Sequence, residues 1–128
     1  MHTPLWIPIL SMGLAGADAP PPPIVNGAAT SDFRAVGALI TYDPSSGYGG
    51  TCSGTLIQQR WVLTAAHCMW EMEENPDDWE GYFFIGDNLD DDDGIEIQRS
   101  VRDWVLHPGY DNDSSVAVHD IALVQLNN

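Results

Sequence analysis

The stretch Trp61–Cys68 reads "WVLTAAHC", and its two halves follow different rules. Trp61, Val62 and Leu63 favour a pleated, half-buried strand, whereas Ala65-Ala66-His67-Cys68 reads as a tight turn or a single helical turn at the strand's end. The histidine therefore sits where the chain turns. A lone histidine in such a place is as compatible with a structural or solvated role as with a chemical one, so the surrounding sequence has to decide.

Cysteine usage bears on that choice. Cys52 and Cys68 are the only cysteines, sixteen positions apart, and each belongs to a stretch that reads as strand or strand end. In an exported chain this pair is best read as a disulfide, and two cysteines without a matching ligand cluster do not make a metal site. A bond at Cys68 pins the backbone one residue from His67. The N-terminus fits export: Leu5 to Leu14 is mostly apolar, and Ala15-Gly16-Ala17 and Ala17-Asp18-Ala19 offer small residues at cleavage-site spacing, so residues 1–19 are expected to form a signal peptide. That segment is too short, and too broken by Pro4 and Pro8, to span a bilayer. Pro20 to Pro23 form a stiff linker or pro-stub before "IVNG" at Ile24 to Gly27, where folded sequence is expected to begin. The expected localisation is secreted, extracellular or periplasmic, without a membrane span.

The chain of 128 residues, 44% hydrophobic with five tryptophans, is long enough for one compact domain with its own core. Nineteen acidic against four basic residues give a net charge of -15, which argues against nucleic acid as a partner. Much of the charge lies in two places, Glu71 to Glu80 around Pro76 and "GDNLDDDDGIE" at Gly86 to Glu96. Both read as surface loops, and a solvated acidic face is the plain explanation of either.

Between these loops run short apolar segments: Val36 to Tyr42, Cys52 to Ile57, Trp61 to Thr64, Tyr82 to Ile85, Ile95 to Leu106 and Ile121 to Leu126. Turn-forming stretches such as "DPSSGYGG" at Asp43 to Gly50 and "HPGYDND" at His107 to Asp113 separate them. Short strands at this spacing predict an antiparallel barrel or sandwich, with no long amphipathic helix. The last segment, "HDIALVQL" at His119 to Leu126, carries Asp120 into an apolar run. A carboxylate drawn inward is costly unless something donates hydrogen bonds to it. His67 is a candidate donor, and an aspartate on one ring nitrogen would leave the other free to take a proton from a nucleophile. The other reading of Asp120 is a cap on the turn at the strand's entry.

Together, "IVNG", "CSGTLI" at Cys52 to Ile57, "WVLTAAHC", "HPGY" and "HDIALVQL" resemble, in order and approximate spacing, the N-terminal half of a trypsin-like serine protease of the chymotrypsin family. The resemblance covers Ile24 to Asn128 and implies an all-β fold, the first antiparallel six-stranded barrel of the two-barrel trypsin-like architecture. It implies that His67 is the general base and Asp120 the carboxylate that orients it, the roles being those of this family's Ser-His-Asp triad. It also implies the Cys52–Cys68 disulfide, and that groups near Thr64 and Ala66 help to hold the aspartate. Ile24 resembles the residue that becomes the new N-terminus on zymogen cleavage, although Pro23 stands where family members usually offer Arg or Lys.

The family's nucleophilic serine lies in a Gly-Asp-Ser-Gly-type loop beyond the aspartate, and no such motif occurs in these 128 residues. Ser53, Ser114 and Ser115 have no family support as nucleophiles. The resemblance thus implies a secreted serine-type endopeptidase present as an incomplete N-terminal portion, inactive by itself, whose partners are protein or peptide substrates and a missing C-terminal barrel. The alternative is a non-catalytic, protease-like binding module. No cofactor is required for the chemistry. A structural calcium is the sharper reading of the second acidic loop, because Asp93 and Glu96 align with an acidic pair in the calcium-binding loop of trypsins and Asp87 falls near its first carboxylate.

Overall fold

The structure, a computed structural model, describes residues 32–113 and 115–128. The expected signal peptide, the proline linker and Ile24 lie outside the described residues. Six strands follow in order: β1 (Val36–Tyr42), β2 (Gly49–Gln58), β3 (Trp61–Thr64), β4 (Glu80–Gly86), β5 (Ile95–Leu106) and β6 (Ala122–Leu126). The five-residue helix α1 (Trp70–Glu74) and a 3-10 turn at Ala66–Cys68 lie between β3 and β4, and a second 3-10 turn, Asp92–Gly94, precedes β5.

The strands close into a barrel in the order β1-β2-β3-β6-β5-β4, with β4 returning to pair with β1 and every pairing antiparallel. This is the six-stranded barrel that the motifs imply. Closure leaves the sheet without an unpaired edge. Alternation along the strands decides which face turns inward: Leu39 and Thr41 of β1, Val62 and Thr64 of β3, Phe83 and Ile85 of β4, and Ala122, Val124 and Leu126 of β6 are buried, each two positions from the next. Each fully buried large apolar side chain among them contributes roughly 1.5–3 kcal/mol relative to exposure.

Phe83 occupies the middle of this core because two glycines give way to it. Gly37 and Gly54 pair across β1 and β2. A Cβ on Gly37 would lie 2.7 Å from the Phe83 ring, and one on Gly54 would lie 3.2 Å from it and 2.6 Å from Val62. A side chain at Gly37 would collide with the Phe84 carbonyl and the Phe83 ring, and one at Gly54 with Val62 while crowding that ring.

The strand bounds agree with the apolar segments at Val36–Tyr42, Trp61–Thr64 and Ile95–Leu106, and differ by up to three residues elsewhere. The first acidic segment departs from the expected loop at its start, where Trp70–Glu74 is helical. Met72 on that helix is buried beside the fully buried Met69, and its sulfur packs against Gly81 of β4, while Glu71, Glu73 and Glu74 stay exposed. A short amphipathic turn was hidden because one methionine among carboxylates gives no readable period. Among the described residues no helix is long and apolar enough to cross a membrane.

Candidate active site

Strand register brings the two candidate residues together. Thr64, the last residue of β3, pairs with Ala122, the first of β6, so the chain leaving β3 and the chain entering β6 run side by side at one end of the barrel. His67 lies three residues past that pair and Asp120 two residues before it. The 3-10 turn holds His67 through two backbone bonds, Cys68 N–H to Ala65 O at 3.3 Å and Met69 N–H to Ala66 O at 3.0 Å, with Ala66 fully buried beneath. The cross-link is present: Cys68 is bonded to Cys52 on β2, so the turn is tied covalently to the neighbouring strand.

His67 Nδ1 lies 2.7 Å from Asp120 Oδ2, and the His67 backbone N–H donates to Oδ1 at 2.8 Å. The carboxylate therefore grips both the ring and the backbone of one residue. Burial pushes the Asp120 carboxyl up, but the backbone N–H and imidazole of His67, its charge, and the backbone N–H of Ala66 outweigh that and hold it below the ordinary 3.8. An ionised Asp120 assigns the proton to Nδ1 and leaves the Nε2 lone pair outward. The His67 side chain is 59% exposed and that of Asp120 21%. The imidazole faces solvent while its partner is mostly covered. Nε2 lies 3.5 Å from Cys68 Sγ, a disulfide sulfur with no proton to give.

Of the two residues expected to help hold the aspartate, Ala66 has an N–H that helps to lower the Asp120 pKa. The Thr64 hydroxyl is instead spent on the carbonyl of Ser53, at 2.9 Å. A second brace was not legible in the sequence. His119 adopts a left-handed backbone with φ 57°, and its ring stacks on His107 at 4.5 Å with the planes 7° apart. His107 accepts from the Gly109 N–H through Nδ1, and a Cβ on Gly109 would strike the His119 ring at 2.9 Å. The "HPGY" turn thus clamps the residue immediately before Asp120. Left-handed backbone at a non-glycine residue has no composition signal that would have announced it. Tyr110, on the same turn, has its phenol pushed up by burial and then by the charges of Asp120 and Asp111.

The other candidate residues are not gathered in this way. Asp87 and Glu96 border one depression with Phe33 and Arg34, whereas Asp93 is not among its walls. Asp93 instead sits in the 3-10 turn, its N–H donating to Asp91 Oδ1, and the Asp87 N–H donates to Gly94 O. Among the described residues, the three potential ligands whose donor atoms lie within 4.8 Å of one another are Cys52, His67 and Cys68, and the disulfide removes both sulfurs as ligands. No serine hydroxyl is hydrogen-bonded to His67 among the described residues.

A closed six-stranded antiparallel barrel, with a solvent-facing histidine oriented by an aspartate at one end and a disulfide behind it, defines a trypsin-like domain. Residues 27–128 match the family described as Trypsin, and the chain belongs to that family. It is 44% identical over 79 residues to human chymotrypsin-like elastase family member 1, covering 59% of this chain and 28% of the relative. The bovine protein of the same description is 39% identical over 90 residues, or 68% of this chain and 31% of the relative. Serine protease SSP1 of Scolopendra subspinipes is 35% identical over 83 residues, or 63% and 28%. The matched region thus spans about a third of the length of these relatives. Among solved structures, a protein described as HL collagenase superposes with a TM-score of 0.58 at 23% identity, covering 81% of this chain and 41% of that one. One described as GrC gives 0.54 at 24%, covering 73% and 37%. At that level of identity these two speak for the fold alone.

Proposed function

We propose that this chain supplies the base-bearing half of a secreted serine endopeptidase. The observation that supports the reading best is the double hydrogen bond of Asp120 to His67, ring and backbone together, with Nε2 left to solvent. In the reaction, Nε2 takes the proton of a serine hydroxyl as it attacks the peptide carbonyl and then passes it to the leaving amine, while Asp120 stabilises the imidazolium in between. The nucleophile, the oxyanion-binding groups and the main specificity pocket are not among these residues. They come, in this reading, from a second barrel that completes the cleft, and the chain alone is inactive.

Export is part of the same reading, supported by the apolar leader and by a disulfide that needs an oxidising compartment to persist. No metal takes part in the chemistry. A structural calcium at the second acidic loop would be held by Asp87, Asp93 and Glu96, whose ligand atoms do not all lie within 4.8 Å of one another.

The test is a fusion of this chain to the C-terminal barrel of the human elastase relative, assayed on a chromogenic peptide ester. Hydrolysis by the fusion, abolished in His67→Ala, is the expected result. A folded fusion no faster than its His67→Ala variant would overturn the proposal and leave a non-catalytic module in its place.

A further inference from the structure

On the flank of the barrel, the helix α1, which starts three residues after His67, borders an open depression of about 370 Å³ together with the end of β5 and the turn that follows it. Trp70, Trp104, Tyr110, Leu106, His107 and Glu73 are among its walls, and neither His67 nor Asp120 is. Trp70 and Tyr110 meet edge to face with their centroids 5.7 Å apart, so the two rings hold each other in place. Glu73 is the carboxylate of this aromatic lining. The Trp104 indole Nε1–H donates to its Oε2 at 2.7 Å, which fixes the carboxylate against the ring and leaves Oε1 for a second donor.

Aromatic faces attract cations through the ring quadrupole, and a fixed carboxylate beside them adds a charged acceptor. No arginine is among the walls, and the chain has no lysine. Glu71 and Glu74 flank Glu73 on the same helix, in a chain whose net charge is -15. The local field and the lining therefore select the same ligand chemistry. A planar guanidinium suits the depression better than an ammonium, because it can stack on an indole and present several N–H donors to one carboxylate.

We infer that the Trp70–Trp104–Tyr110 depression is a docking site for an arginine side chain of a polypeptide partner, stacked on the aromatic lining and hydrogen-bonded to Glu73. The site is separate from the residues of the proposed chemistry, and it does not depend on whether the chain forms part of a protease.

The probe is a capped tetra-arginine peptide, titrated into the full chain at pH 8 and 150 mM salt. Binding is read from the indole N–H resonances of the tryptophans, with capped tetra-citrulline as a neutral control of the same shape. Saturable binding that moves the Trp104 indole signal, with none for tetra-citrulline, is expected. Glu73→Gln, a surface change that keeps the helix, is expected to weaken binding about tenfold, and so is Trp70→Leu. Asp92→Asn, which removes one charge from the other acidic loop, is expected to change it less than twofold. Equal losses in Glu73→Gln and Asp92→Asn would mean that the peptide feels only the diffuse negative field. That result, an unmoved Trp104 signal, or equal affinity for tetra-citrulline would each overturn the assignment.

Discussion

Asp120 holds His67 twice, through Oδ2 to the ring Nδ1 at 2.7 Å and through Oδ1 to the backbone N–H at 2.8 Å, across 53 positions of sequence. A single carboxylate thus orients the ring and adds one more tie to a turn already held by its own backbone bonds and the disulfide. Replacing it disturbs both the tautomer and the position of the base, which gives the pair its testable consequences.

Asp120→Asn is expected to remove the downfield Nδ1–H proton signal of His67 in this chain, because a neutral amide no longer selects that tautomer. In the completed protease the expected loss is about 10⁴ in kcat, the figure known for this family's own orienting aspartate. Proton NMR on the wild type and variant checks the first. Single-turnover ester hydrolysis by the fusion checks the second.

Acid should expose the same carboxylate. Because the native state holds the Asp120 carboxyl below its ordinary 3.8, its contribution to stability is present at pH above that value and is lost as the pH falls through the native pKa. The melting temperature of wild type is therefore expected to fall more steeply below about pH 4 than that of Asp120→Asn. Equal slopes in thermal melts from pH 6 to pH 2 would contradict it.

The Cys52–Cys68 bond closes a sequence separation of sixteen residues. Chain entropy sets its contribution at about 3 kcal/mol, so Cys52→Ala with Cys68→Ala should lower the unfolding free energy by about that much in urea titrations. The His67 Nδ1–H signal should broaden in the same variant, since the turn loses its tie to β2. Sharp retention of that signal would mean that Ala66 and the backbone bonds hold the turn unaided.

Gly54→Ala is expected to cost about 1–3 kcal/mol, because the added methyl meets the Val62 side chain at 2.6 Å and presses on the Phe83 ring at 3.2 Å. Phe83→Ala should cost about 3–5 kcal/mol by the opposite route, a cavity at the barrel's centre. Denaturant midpoints at constant slope check both.

Calcium at millimolar concentration is expected to leave the melting temperature unchanged, since among the described residues Asp87, Asp93 and Glu96 do not bring three ligand atoms within 4.8 Å of one another. A rise that disappears in Glu96→Gln would restore a calcium site to the second acidic loop.

The sequence by itself located most of the strands and singled out His67 and Asp120, which the structure brings into hydrogen-bond contact. Period-two alternation at Val36–Tyr42 and Trp61–Thr64 is a local property of the chain, and the motifs around His67 and Asp120 are contiguous enough to be read directly. Tertiary structure alone decided what holds that pair. Pairing of β1 with β4 closes the barrel, and the register of Thr64 with Ala122 sets two distant turns side by side. Only then is it settled that His67 gives Asp120 both its ring and its backbone N–H while Thr64 serves Ser53, that His119 is braced in a left-handed backbone on His107, and that Trp70, Glu73, Trp104 and Tyr110 line one depression. The physical reason is one of range: alternation and turn chemistry act over a few neighbouring residues, whereas a hydrogen-bond partner 53 positions away exists only after the sheet has closed.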